Sequence, residues 1–237
     1  MSVREVWDLR KIEWLAAVDD QDLAALERGA VQRRCSRGEM VFAPTPNPRS
    51  VYLLQSGLVR IYRLSEGGGE TSLGYVAPGE VFGELPAFGD YPRESFAQAV
   101  QPSLVWKIPR ENLQRILTTH STLALQVTRQ IGGRLKRIET RVEDLVFRNV
   151  RTRVARMVAE LARDFGRNEG GRWVIDIPIT QGELATLVGA TRQTVNQTLR
   201  ELAGEGLIGR ESRRIVVYQP ELLSGAPQPA YSASAAK

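Results

Sequence analysis

The segment from Thr180 to Leu202, TQGELATLVGATRQTVNQTLREL, leaves this chain few folds to choose from. Thr180 suits a helix cap and Glu183 follows three positions later, the spacing at which cap and carboxylate satisfy each other's backbone amides. Leu184, Ala185, Leu187 and Val188 supply a short apolar face. Gly189 and Ala190 interrupt it, glycine being free to take a positive φ. Thr191 then caps a second helix, in which Val195, Leu199 and Leu202 recur at spacings of four and three. Two short helices across a tight glycine turn predict a helix-turn-helix.

The polar side of the second helix carries Arg192, Gln193, Asn196, Gln197 and Arg200, opposite Val195 and Leu199. Arginine pairs with guanine, and glutamine or asparagine with adenine, when a helix enters the major groove of DNA by its start. A solvated surface helix is also polar on one side, so this face does not decide by itself. The next run, LIGRESRRIVVY from Leu207 to Tyr218, sets two β-prone stretches around a basic tip. That pattern predicts a hairpin wing whose arginines suit phosphate contacts. The expected DNA-contacting residues are Thr180, Thr191, Arg192, Gln193, Asn196, Gln197, Arg200, Arg213 and Arg214.

A chain of 237 residues, 42% hydrophobic and 25% charged, accommodates one large or two modest soluble domains, and its net charge of +5 is compatible with a polyanionic partner. The single cysteine, Cys35, excludes an intrachain disulfide framework and an all-cysteine metal or iron–sulfur cluster within one chain. Charged residues interrupt the first apolar positions, and no run is apolar enough to span a membrane. A cytoplasmic protein without a membrane partner is expected.

Ahead of the helix-turn-helix, Ile12, Leu15, Val18, Leu23 and Leu26 recur at helical spacing, with Asp19 or Asp20 as a cap. From Val31 to about Pro109 the period shortens. Seven β-prone runs (41–42, 51–54, 58–62, 71–76, 81–82, 96–97 and 104–108) are separated by glycine and proline turns, with Gly67–Gly69 as a hairpin tip. Short strands at that spacing predict a sandwich or jelly roll. Helical period returns after Pro109, where Ile131, Leu135, Ile138, Val142 and Leu145 form a heptad seam bordered by charges. A seam of that kind suits the same helix of a second subunit, and a two-fold dimer would present two recognition helices to paired half-sites. A long helix packed on its own sheet is the other reading of the pattern. Residues 148 to 166 then predict a helix, 168–171 a turn and 173–177 a strand; the proline- and serine-rich end predicts a flexible tail.

The expected fold is thus α+β, with a double-stranded β-helix, or jelly roll, over 1–124 and a dimerisation helix and hinge over 125–147. A winged helix-turn-helix over 148–220 and a tail over 221–237 complete it. This order resembles the CRP/FNR family of bacterial transcription regulators. The resemblance rests on Gly57–Val59 and its strand, on the PGEVFGEL run Pro78–Leu85, and on Leu184–Leu202 with the wing. It implies a homodimer that senses a signal in the jelly roll, binds near-palindromic promoter DNA and, in activators, touches RNA polymerase. Arg192 matches the family's guanine-reading arginine, whereas Gln193 stands where many cyclic-AMP receptors have glutamate.

The resemblance also implies a ligand pocket made of Phe82, Gly83, Glu84, Leu85, Arg93, Glu94, Ser95, Arg134 and Ile138. In it, Gly83 and Glu84 would meet a ribose and Arg93 a phosphate. Glu94 departs from the small hydroxyl residue found there in cyclic-nucleotide binders, and Ile138 and Glu139 depart from the hydroxyls offered to the adenine. A carboxylate facing a phosphate is costly unless it turns away or is paired. A cyclic nucleotide, a cyclic dinucleotide, another signal or none all remain open. His120 reads as an inter-helix histidine with haem ligation as the alternative, and Cys35 as a near-core residue with redox sensing as the alternative. No nucleophile–base set or metal set marks an enzyme. A ligand-sensing protein-interaction module would not need the base-capable residues at 192, 193 and 197.

Overall fold

The alternation in the first half resolves into eight strands in a computed structural model that describes residues 9–16, 18–212 and 214–224. Expected residue Arg213 lies outside those. Two 3-10 turns, Leu9–Lys11 and Glu13–Leu15, precede helix α1 (Asp20–Glu27), which Asp19 caps by accepting from the Asp22 amide at 2.9 Å. Then follow β1 (Val31–Cys35), β2 (Met40–Phe42), β3 (Ser50–Ser56), β4 (Val59–Leu64), β5 (Glu70–Val76) and β6 (Val81–Phe82). A short α2 (Leu85–Phe88), β7 (Phe96–Ala99), β8 (Ser103–Pro109), α3 (Arg110–Thr119) and α4 (Ser121–Phe147) complete this half. Two antiparallel sheets result, in the orders β1-β8-β3-β6 and β2-β7-β4-β5. Strand β1 was not among the seven expected runs. Its VQRRC sequence lacks apolar alternation, and it holds its place by pairing along β8 from Val31↔Lys107 to Cys35↔Ser103.

Strand β3 is buried on both faces, which its continuous apolar run VYLL requires. Successive side chains point to opposite faces of a strand. Val51 and Leu53 accordingly join Trp106 and Ile108 of β8 in a core with Leu15, Leu23, Leu26, Leu113, Ile116, Leu123 and Val127 of the turns and helices. Tyr52 and Leu54 turn the other way, into the space between the sheets, with Phe42, Val59, Val76, Phe82, Ala97, Ala99 and Val105. Cys35 is buried there too, and burial raises its thiol above the ordinary value, away from the reactive thiolate.

Gly57 turns β3 into β4 at φ +97°, and an added Cβ would overlap both the side chain and the backbone of Ser103. The Ser103 hydroxyl accepts from the Leu58 amide at 3.1 Å, so the loop has no room to retreat without losing a buried hydrogen bond. Gly57→Ala is expected to destabilise this unit by ~2–3 kcal/mol, checked by urea unfolding against the wild type.

Helix α4 starts at Ser121, four residues before the expected boundary, and the two compact units divide between Thr140 and Arg141. Ile131 departs from the expected seam. It continues the Leu123–Val127 stripe and packs, half-buried, against the core of its own unit. Leu135, Ile138, Val142 and Leu145 do not, and they are 55%, 39%, 55% and 49% exposed.

In the second unit, Asn149 caps α5 (Val150–Phe165), followed by β9 (Gly166–Glu169), β10 (Arg172–Ile175), α6 (Gln181–Val188), α7 (Arg192–Gly204), β11 (Ile208–Glu211), β12 (Arg214–Val217) and α8 (Pro220–Ser224). The sheet runs β11-β12-β10-β9. Two expectations are corrected. Residues 166–169 form a strand rather than helix end and turn, because Arg172–Ile175 pairs back onto them through Gly170 and Gly171. Residues 221–224 belong to a helix rather than a tail, because Leu223 finds cover as α8 packs against α5. The remainder of the expected tail lies outside the described residues. Val154, Met157, Val158 and Leu161 of α5, with Leu184, Val188, Val195, Leu202 and Val216, are the buried apolar side chains that seat the two helices of the motif.

Candidate nucleic-acid interface and sensor pocket

At the start of α6 the Thr180 hydroxyl accepts from the Glu183 amide at 3.1 Å, while the Thr180 amide donates to the Glu183 carboxylate at 2.7 Å. Gly189 ends the helix at φ +62°, in the left-handed region. Thr191 caps α7 by accepting from the Thr194 amide at 3.1 Å. Both threonines are therefore occupied in fixing the helix starts. Val195, Thr198 and Leu202 face inward, so Gln193, Gln197 and Arg200, spaced four and three, share the outward face. Arg192 is exposed at the first position of α7, and neither it nor Arg200 has an ion-pair partner among the described residues. Asn196 is half-buried and its side-chain oxygen accepts from Gln181 at 3.1 Å, which braces α7 against α6. Gln197 donates to Glu201 at 3.1 Å, an exposed bond that DNA could replace.

In the wing, Arg214 pairs with Asp176 at 2.9 Å, so its charge is partly neutralised within the sheet. Exposed Arg210 on β11 has no such partner among the described residues.

The expected pocket residues divide into those brought together and those turned away. Arg93 is buried, its guanidinium 4.3 Å from the Phe42 ring centroid and 5.1 Å from that of Tyr52. It donates to the carbonyls of Ser50 at 2.5 Å and Gly83 at 2.9 Å. Burial lowers the pKa of this guanidinium, opposed by Tyr52 and Glu84, yet arginine stays charged. Glu84, also buried, pairs with Arg134 at 2.9 Å, and Arg134 donates to the Val81 carbonyl at 2.6 Å. Glu94 turns to an exposed ion pair with Arg63, and so does not oppose an anion at Arg93. Leu85 is exposed, Ser95 half-buried, and Phe82 is part of the aromatic cluster with Phe42 and Tyr52. His120 contacts Asp22.

Residues 32–120 match the model of the cyclic nucleotide-binding domain, and residues 152–225 that of the Crp-like helix-turn-helix domain. A CRP-like cAMP-activated global transcriptional regulator of Mycobacterium tuberculosis is 33% identical over 207 residues, 87% of this chain and 92% of the relative. This chain belongs to the CRP/FNR family of transcription regulators. A global nitrogen regulator of Synechococcus elongatus is 30% identical over 79% of this CRP/FNR chain and 86% of its own length. The c-di-GMP responsive global regulator CLP of Xanthomonas campestris has a TM-score of 0.70 at 24% identity, covering 84% of this chain and 99% of that one, which speaks to the fold. The relatives are transcription regulators and not enzymes.

Several residues that shape the two candidate sites of this CRP/FNR protein escape a reading by pattern. Arg153 donates to the carbonyls of Val188 at 2.9 Å and Gly189 at 3.1 Å, capping the end of α6 from α5. Gln181, Asp176 and Arg63 act likewise, each tying down a residue expected at a site. Nothing local announces such partners, which lie 15 to 38 positions away. No helix among the described residues is long and apolar enough to cross a membrane.

Proposed function

We propose that this protein acts as a homodimer that reads a near-palindromic promoter site through α7 and answers to an anionic signal held in the jelly roll. The observation that carries the DNA reading is the outward face of α7. Arg192, Gln193, Gln197 and Arg200 stand exposed on a helix whose opposite side is seated through buried Val195, Thr198 and Leu202. Arg210 and Arg214 on the wing would meet phosphates, and an RNA polymerase contact would follow if the regulator is an activator. Selection from random duplexes should enrich a two-fold symmetric sequence whose half-sites lie about one helical turn apart. An enriched site without symmetry, or no enrichment, would overturn this reading.

Arg93 supports the anionic signal. A buried charge is normally paired, and no carboxylate ion-pairs with Arg93 among the described residues, Glu84 being engaged by Arg134. Two relatives point the same way: one is named as cAMP-activated and one as c-di-GMP responsive. A second reading, a ligand-independent regulator, draws on the same contacts, since the carbonyls of Ser50 and Gly83 already occupy part of the guanidinium. Calorimetric titration with cyclic AMP, cyclic GMP and cyclic di-GMP separates them. A saturable response is expected for one of the three, and Arg93→Ala should weaken it about tenfold or more, the loss of a charge-assisted hydrogen bond being worth ~1.5–3 kcal/mol. Tight DNA binding by unliganded protein with no response to any of the three favours the second reading.

A further inference from the structure

We propose that Asp19, Asp22 and His120 form a binding site for a divalent transition-metal ion, Zn2+ foremost, separate from the sensor pocket. The three side chains offer one ligand atom each, and these atoms lie within 4.8 Å of one another. They come from distant parts of the chain, with His120 98 positions from Asp22 in sequence, so the grouping is a product of the fold and not of a local acidic run. One imidazole nitrogen and two carboxylate oxygens are the donor types of an open three-ligand zinc site, completed by water. The imidazole disfavours Mg2+ and Ca2+, which prefer oxygen throughout.

The surroundings hold these donors in place. Asp19 is oriented by the Asp22 amide at 2.9 Å through one oxygen, and a carboxylate retains a second for an ion. His120 forms the one-residue link between α3 and α4. Its amide donates to the Ile116 carbonyl at 2.9 Å and its carbonyl accepts from the Ala124 amide at 3.1 Å. The His120 and Asp22 side chains are only 26% and 34% exposed, and α1 packs against α3. Charge agrees with the donors. No Lys or Arg forms an ion pair with Asp19 or Asp22 among the described residues, whereas the adjacent Asp20 is already paired with Arg10. Two carboxylates thus converge on one imidazole with no fixed cation between them. A bound ion would tie the start of α1 to the start of α4.

Full-length protein stripped with a chelator and titrated calorimetrically with zinc chloride should take up one ion per chain. His120→Gln and Asp22→Asn should each weaken binding at least tenfold, with circular dichroism unchanged. Asp19→Asn, which keeps a capping oxygen, should weaken it less, and Cys35→Ser should leave it unaltered. Absence of saturable binding by the wild type, or wild-type affinity in His120→Gln, overturns the site, as does loss of binding in Cys35→Ser. Should a variant misfold, X-ray absorption of the Co2+-loaded wild type decides. One imidazole among oxygen ligands supports the assignment, and a sulfur ligand or no imidazole refutes it.

Discussion

Leu135→Glu is expected to be monomeric at micromolar concentration, where the proposed homodimer of the wild type should persist, while leaving the protomer folded. Leu135, Val142 and Leu145 are about half exposed along α4, and Ile138 lies between them. Their spacing of three and four places them on one stripe, which a second copy of the helix would cover. The two glycines just before the stripe support close approach. Gly132 and Gly133 each weaken a helix by about 1 kcal/mol relative to Ala, and a Cβ at either would meet nothing within 4 Å among the described residues. Their small size serves no purpose inside one chain that the contacts reveal. Burying a leucine contributes roughly 1.5–3 kcal/mol, and two-fold symmetry counts it twice. The loss is then about 3–6 kcal/mol, or roughly a hundredfold to ten-thousandfold in the dimer dissociation constant. Lys136→Glu, one position along on the polar side, should change little. Sedimentation equilibrium of the three proteins checks this. A Leu135→Glu protein that stays as dimeric as the wild type would remove the α4 pairing from the proposal.

Arg192→Ala should cost the second-largest share of function, through specific and not general DNA affinity. The residue sits at the first position of α7, exposed, beside the Thr191 cap, so its removal leaves the fold intact. A bidentate arginine–guanine contact is worth ~1–3 kcal/mol of discrimination. Two half-sites double the loss in a symmetric complex to ~2–6 kcal/mol, so binding to the selected duplex should fall roughly thirtyfold to ten-thousandfold. Binding to random duplex should change far less, because phosphate contacts supply that term. Arg210→Ala should behave in the opposite way, weakening selected and random duplexes alike and flattening the salt dependence by about one phosphate contact per protomer. Gln193→Glu provides a further check on register. A carboxylate accepts from cytosine where an amide pairs with adenine, so repeated selection should change the base at one position per half-site. Equal affinity of wild type and Arg192→Ala for the selected site would refute the role given to α7.

The parts of this molecule that rest on near neighbours in sequence are legible in the sequence alone. The capping pair Thr180–Glu183, the Thr191 cap and the left-handed turn at Gly189 each involve groups within a few residues of one another, and they stand where the pattern put them. Short β-prone runs between glycine and proline turns located β2 to β8 for the same reason. Where an element drew its stability from pairing or cover supplied by another element, pattern was silent. Strand β1 exists because β8 offers it a ladder, β9 because β10 folds back on it, and α8 because α5 covers Leu223.

Charge at the sites divides along the same line. Residue types identified Arg192 and Arg214 as groups of interest, and the family resemblance implied Glu84, Arg93 and Glu94. Only the folded chain decided that Glu94 leaves the pocket for Arg63, that Glu84 is held by Arg134, and that Arg214 is shared with Asp176. Only the folded chain brought His120 to Asp22. Helix and strand periods are properties of the local backbone, readable along a line. The partner of a long, flexible charged side chain depends on which distant backbone arrives beside it, and that is fixed by topology.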